Sequence, residues 1–136
     1  MIQRIQTIWL LLVSACAFIS LKLPFYSGFA DTPSQFELLN GASHFWLLLV
    51  TVIIGVLALF TIFDYKTRVR QLRLCALGIL LEGLLLFLYY HYSTVFTTGT
   101  YSLAAVLQAG VMLFFVLAIR GIQKDNKLVK ESDRLR

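Results

Sequence analysis

The sequence predicts an all-α integral membrane protein. We expect an antiparallel four-helix bundle with both termini in the cytoplasm and a helical tail at the C-terminus. Four apolar stretches cross the chain, at residues 5–23, 44–63, 73–91 and 101–120. Each is about long enough to cross a ~30 Å hydrocarbon core as a helix, at ~1.5 Å per residue. The chain is also 59% hydrophobic, above the ~45–50% of soluble domains.

The basic residues lie almost entirely on one side of the zigzag that these stretches imply. Of the 12 Lys and Arg residues, only Lys22 lies in a connection on the opposite side. The others precede the first stretch, separate the second from the third, or follow the fourth: Arg4, Lys66, Arg68, Arg70, Arg73, Arg120, Lys124, Lys127, Lys130, Arg134 and Arg136. Cytoplasmic loops carry such an excess, so we expect both termini to be cytoplasmic.

The first stretch is predicted to be a retained helix that ends near Lys22 and Pro24, because proline disfavours helix at the residue before it. Residues 13–16, Val-Ser-Ala-Cys, also look like a lipoprotein cleavage site, which would leave a lipidated Cys16 and three helices. The apolar run continues well past Cys16 and exceeds the ~7–15 residues of a signal-peptide core. A retained helix is therefore the favoured interpretation.

The connection that follows, residues 25–43, is the longest and predicts a short helix. Residues 31–33, Asp-Thr-Pro, are typical of a helix cap followed by a first-turn proline. The helix would cover residues 35–39 and end at Asn40-Gly41. We expect it to lie on the outer membrane surface or to cap the bundle.

The connection between the second and third stretches, residues 65–72, is short and basic. With the residue that follows it, it supplies three arginines: Arg68, Arg70 and Arg73. We expect these to contact lipid headgroups or to set topology. The third stretch ends in residues 89–92, Tyr-Tyr-His-Tyr, typical of the aromatic belt at a membrane interface.

This division predicts one transmembrane domain at residues 1–121, followed by a charged cytoplasmic tail at residues 122–136. The tail is predicted to be helical, because apolar residues in it recur at intervals of seven and oppositely charged residues at intervals of three. Its candidate partner-binding residues are Leu128, Val129, Arg134 and Leu135.

Glu82 is the one ionisable residue deep inside an apolar stretch. Counted from Arg73 it lies about 14 Å into the membrane, near the midplane. A charge there costs at least a few kcal/mol, so we expect a neutral carboxyl group. Depth counting places Ser14, Thr51 and Gln108 in the same polar layer, and a Glu82–Gln108 hydrogen bond is the preferred pairing. The carboxyl group either holds helices together or carries protons or cations along a transport path.

Other chemistries have weaker support in the sequence. His44 and His91 lie on separate helices without the spacing of metal ligands, so we expect no metal and no cofactor. The net charge of +5 is explained by helix ends at headgroups, and nucleic acid is not an expected partner. Cys16 and Cys75 lie at different depths and should not form a disulfide. No acid–base pair or activated nucleophile indicates an enzyme.

The two ends of the chain resemble a known family. Residues 1–6, Met-Ile-Gln-Arg-Ile-Gln, and the tail pattern Lys-Asp-x-x-Leu-Val…Asp-Arg-Leu-Arg are similar to the domain-of-unknown-function 4293 family. Its members are short four-helix integral membrane proteins, mostly of Bacteroidota, and the resemblance covers the full length. It implies a bacterial inner membrane and no particular activity.

The functional expectation is a non-catalytic subunit or scaffold of the membrane. It would bind a protein partner, or further copies of itself, through its bundle or its tail. The alternative is a small proton- or cation-coupled transporter or channel that uses Glu82. A membrane-bound enzyme or lipid-handling protein is the third possibility.

Overall fold

The computed structural model describes residues 5–30 and 35–136, in which four helices and three strands form. In chain order they are α1 (Ile5–Ser20), β1 (Pro24–Ala30), β2 (Phe36–Asn40), α2 (Phe45–Phe63), α3 (Arg68–Ser93), β3 (Phe96–Tyr101) and α4 (Leu103–Arg134). Helices α2, α3 and α4 are long and apolar enough to cross a membrane. Helix α1 has 16 residues, about 24 Å at ~1.5 Å per residue, and is shorter than the stretch of residues 5–23 predicted for it.

The four helices pack in a closed ring, here called the helical body. Helix α1 contacts α2 and α4, and α3 also contacts α2 and α4. At one end the Gln71 amide donates a hydrogen bond to the backbone oxygen of Thr61, at 3.2 Å. There too, Arg68 Nη1 donates to the backbone oxygen of Asp125, at 3.3 Å. This end contains the start of α3 and the basic part of α4, and we call it the basic end.

The helical body has an apolar exterior and an apolar core that also encloses several polar side chains. Each helix turns one face inward, and on α3 this face repeats every three or four residues, as helical geometry requires: Gln71, Cys75, Gly78, Glu82, Leu85, Tyr89 and Ser93. Large apolar side chains cover the exterior, including Leu80 at 74% and Phe87 at 64% exposed. Soluble proteins seldom expose apolar surface on this scale, whereas helices in lipid present apolar faces outward and join through small and polar residues.

A three-stranded antiparallel sheet covers the other end of the body, here called the sheet end. Strand β1 lies in the middle and pairs with β2 and β3. Phe25 stacks on Tyr89 of α3 with ring centroids 4.1 Å apart, and the backbone N–H of Ser102 donates to the Phe25 oxygen at 2.9 Å. Strands β1 and β3 approach closely at Gly28, where a Cβ atom would collide with the Thr98 carbonyl oxygen.

The sheet corrects the short helix predicted at residues 35–39. Residues 36–39 belong to β2, and Glu37 pairs with Gly28 of β1. Segments rich in aromatic residues and threonine favour strands, and pairing satisfies backbone groups that a lone surface helix would leave to solvent at its ends. The Asp-Thr-Pro signal at residues 31–33 lies outside the described residues, as does Arg4.

Helix boundaries also differ from the predicted stretches. Helix α3 begins at Arg68, so the three arginines lie on the first turns of a helix and the connection before it shortens to residues 64–67. Helix α4 begins at Leu103 because residues 96–101 form β3. It then runs without a break to Arg134.

Candidate functional site

Glu82 lies inside the helical body with 0% of its surface exposed. Neither carboxyl oxygen has a hydrogen-bond partner among the described residues. Tyr89, two turns further along α3, is equally buried. Its hydroxyl group lies near Glu82, Gln108 and Thr51 and has no hydrogen-bond partner among the described residues. These side chains form a buried polar cluster in the half of the body nearer the sheet.

The predicted Glu82–Gln108 hydrogen bond is wrong. The Gln108 amide instead donates to the Ser20 hydroxyl at 3.3 Å, and that hydroxyl donates to the Ala17 backbone oxygen at 2.7 Å. The Thr51 hydroxyl likewise turns to its own helix and donates to the Leu47 oxygen at 2.7 Å. Both donors thus bond to other acceptors, and the Glu82 carboxyl group has no partner among the described residues.

All four residues of the predicted polar layer are buried. Ser14 is 4% exposed, Thr51 and Glu82 are 0% exposed, and Gln108 is 1% exposed. Ser20 and Tyr89 complete the cluster, and the sequence interpretation missed both. Tyr89 was expected in the aromatic belt. Its seven-residue spacing from Glu82 was the available signal, because that spacing places two side chains on the same helix face.

The cluster is covered at both ends. On the sheet side, Phe25 and Leu39 are 5% and 2% exposed, and a Cβ atom on Gly41 would lie 3.2 Å from the Tyr89 hydroxyl. On the other side, Gly78 of α3 packs directly against the wholly buried ring of Phe115. The arrangement can hold a neutral carboxyl group, and the polar groups around it are enclosed by protein.

The part of the chain that the structure describes contains no group of side chains placed to bind a metal ion. His44 stacks on Tyr92 with ring centroids 4.1 Å apart, while the His91 ring contacts Tyr92 edge-on at 5.8 Å. No three His, Cys, Asp or Glu side chains converge among the described residues. Cys16 and Cys75 are free thiols.

The basic end carries the three predicted arginines in different settings. Arg70 is 66% exposed and lies 3.6 Å from the Asp64 carboxylate, a surface ion pair that contributes little to stability. Arg73 is exposed. Arg68 joins α3 to α4 through the Asp125 backbone oxygen. Only Arg68 of the three therefore helps to hold the helices together.

The tail leaves the body as a continuation of α4. Ile122 is its last buried residue, and every residue from Lys127 onward is exposed. Leu128 is 55%, Val129 42% and Leu135 90% exposed. The helix therefore presents apolar side chains well beyond its last contacts with the body.

The fold and the cluster together define the class of protein. Three long apolar helices, an apolar exterior and a buried polar cluster suggest a helical membrane protein. Residues 2–135 match the family described as Domain of unknown function (DUF4293), and the chain belongs to that family. The resemblance noted from the ends of the chain is thus confirmed. Among curated proteins and solved structures, no significant match was found.

Proposed function

We propose that this protein is a non-catalytic membrane subunit or anchor whose cytoplasmic helical tail binds a partner protein. The observation that carries the proposal is the continuation of α4 beyond Ile122 with apolar side chains exposed. A helix of this kind has no packing partner in its own chain among the described residues. Helices in proteins gain most of their stability from packing, so a segment without it is suited to bind another molecule.

The charge distribution supports a cytoplasmic position for the tail. The basic residues of α3 and α4 lie at one end of the body, and Lys22 lies at the other. A membrane protein places such an excess in the cytoplasm. We therefore propose a four-helix bundle in the bacterial inner membrane, with both termini on the cytoplasmic side and α1 as its shortest member.

The side chains of the tail favour a helix-in-groove interaction. Leu128 and Leu135 are seven residues apart and share one face. Glu131 and Arg134 lie beside that face and can pair with charges at the rim of a groove. Partner proteins commonly accept an amphipathic helix by its apolar face in this way.

A second candidate function rests on Glu82. A buried carboxyl group without a partner among the described residues is typical of proton- and cation-coupled membrane proteins. The enclosure of the cluster by Phe25, Leu39 and Phe115 favours the binding function, because transport needs access from both sides.

Deleting residues 127–136 tests the proposed function. Ile122 and the Arg68–Asp125 contact remain in the shortened chain, so the body should keep its thermal stability in detergent. We expect site-specific crosslinks from position 124 to a cytoplasmic protein in intact cells to be lost. Stable folding with full crosslinking to the same protein would contradict the proposal.

A matched pair of variants separates the contribution of the apolar face to partner binding from the contribution of the charge of the tail. Leu128→Ser with Leu135→Ser removes the shared apolar face and should reduce the crosslink yield about tenfold or more, the scale of two lost apolar contacts. Lys127→Ser with Lys130→Ser changes the same helix outside that face and should leave most of the yield. Equal losses of crosslink yield in the two variants would contradict binding of the tail in an apolar groove of the partner.

A further inference from the structure

A cleft between α1 and α4 at the basic end has features of a ligand site. Its volume is about 240 Å³, and residues of both helices line it: Ile5, Gln6, Trp9, Leu117, Arg120, Gly121, Lys124 and Asp125. The two helices come close here because Gly121 has no side chain, and a Cβ atom on it would lie 3.4 Å from Gln6 Cβ. Trp9 is fixed by stacking on Phe114, with ring centroids 5.7 Å apart.

The charged side chains at the cleft have no ion-pair partner among the described residues. Arg120 and Lys124 are one helical turn apart on α4 and both exposed. Asp125 is half-buried beside them. The one ion pair among the described residues joins Arg70 and Asp64, so none of the three charges at the cleft is paired there. The cleft thus offers two cations and one carboxylate to a ligand.

Gln6 supplies an independent indication of a ligand. It is 2% exposed, and its side-chain oxygen has no hydrogen-bond donor among the described residues. Buried polar atoms are nearly always satisfied by protein, water or ligand. The oxygen accepts and does not donate, so the missing group is a donor. An ionised phosphodiester group carries only acceptor oxygens and cannot supply that donor.

The apolar residues that line and border the cleft indicate a ligand with an apolar part. Ile5 is 62% exposed and neighbouring Ile8 is 53% exposed, so the cleft opens onto the apolar surface of the body. Trp9 and Leu117 continue that surface inward. A cleft with apolar walls and basic residues at its rim, at the cytoplasmic end of transmembrane helices, matches the sites that take phospholipid headgroups.

We propose that this cleft binds the headgroup of an ethanolamine phospholipid. The phosphate lies against Arg120 and Lys124 as a charge-assisted contact. The ammonium group donates to the Asp125 carboxylate and to the Gln6 oxygen, which pairs the carboxylate and satisfies the unpaired acceptor. The acyl chains lie along the exposed face of α1. This inference depends on the membrane position of the body and not on the tail partner.

Native mass spectrometry of the full-length protein with lipids of identical acyl chains tests the assignment. Phosphatidylcholine is the matched ligand, because its ammonium group carries the same charge and no N–H donor. We expect phosphatidylethanolamine to be retained about tenfold better, the scale of one charge-assisted hydrogen bond. Soluble glycerophosphoethanolamine and inorganic phosphate should not compete, since they lack chains. Equal retention of the two lipids, stronger retention of phosphatidylglycerol, or competition by either soluble compound would overturn the proposal.

Three variants locate the site on the protein. Arg120→Gln with Lys124→Gln should abolish lipid retention, and Asp125→Asn should remove the preference for ethanolamine over choline. Lys127→Gln with Lys130→Gln removes equal charge from the exposed part of the same helix and should change neither. Loss of retention in this control to the same extent would show a nonspecific attraction to phosphate and would also overturn the site.

Discussion

Replacing Gly78 with leucine is expected to destabilise the helical body more than any other exchange of one apolar residue for another. A Cβ atom at this position would lie 2.5 Å from Phe115 Cζ and 2.6 Å from Cε1. The Phe115 ring is 0% exposed and cannot swing into lipid. Overpacked cores lose about 1–3 kcal/mol, and leucine adds three carbons beyond the Cβ. We expect a lower melting temperature in detergent and a looser contact between α3 and α4.

Gly83 provides the matched control for this substitution. It lies on the same helix, and a Cβ atom there would meet nothing within 4 Å in the part of the chain that the structure describes. Gly83→Leu should leave stability unchanged or raise it slightly, because glycine is a poor helix former. The double variant Gly78→Leu with Phe115→Ala should recover part of the loss. Equal melting temperatures for the Gly78 and Gly83 variants would show that α3 does not pack on α4 as described.

Glu82→Lys is expected to prevent stable folding. The position is 0% exposed, and a lysine at the centre of a transmembrane helix costs about 2.5–3.5 kcal/mol on insertion scales. Among the described residues, no acidic side chain makes an ion pair inside the body. The variant should accumulate at much lower levels in membranes, measured by quantitative immunoblotting. A pulse-chase experiment should show faster degradation.

Glu82→Gln separates a structural carboxyl group from a transporting one. If the group is neutral, the amide has nearly the same shape and charge, and we expect abundance and melting temperature close to those of the natural protein. The transport hypothesis expects equal stability together with loss of pH-dependent cation flux into proteoliposomes. Flux in the natural protein that vanished in Glu82→Gln would favour the second candidate function over the first.

Much of the helical part could be predicted from the sequence, because the relevant signals are local. Helix α2 was predicted within one residue, as residues 44–63 against Phe45–Phe63. Its apolar run ends where polar residues begin, and no distant contact is needed to define it. The depth of Glu82 within its apolar stretch likewise followed from counting residues along one helix.

The sheet could not be predicted in the same way, because its strands are distant in sequence. The Thr97 hydroxyl donates to the Phe29 oxygen across 68 positions, at 3.2 Å. The aromatic residues and threonines of these two segments favour strands, but each segment also contains a glycine, and the Asp-Thr-Pro signal at residues 31–33 favoured a helix. The partner of Gln108 also depended on the rotation of α1 about its axis, which brings the Ser20 hydroxyl within hydrogen-bond distance of the Gln108 amide. Depth along the membrane gives no information about such rotation.

Cysteine accessibility tests most directly whether the apolar exterior lies in a membrane with the basic end in the cytoplasm. In a background without Cys16 and Cys75, single cysteines replace Thr97 on β3, Leu80 on α3 and Leu135 at the end of the tail, all exposed in the structure. We predict that an impermeant maleimide labels position 97 in intact cells and position 135 only after permeabilisation. Position 80 should stay unlabelled throughout, although Leu80 is 74% exposed. Labelling of position 80 as fast as position 135, or of position 135 in intact cells, would contradict the account.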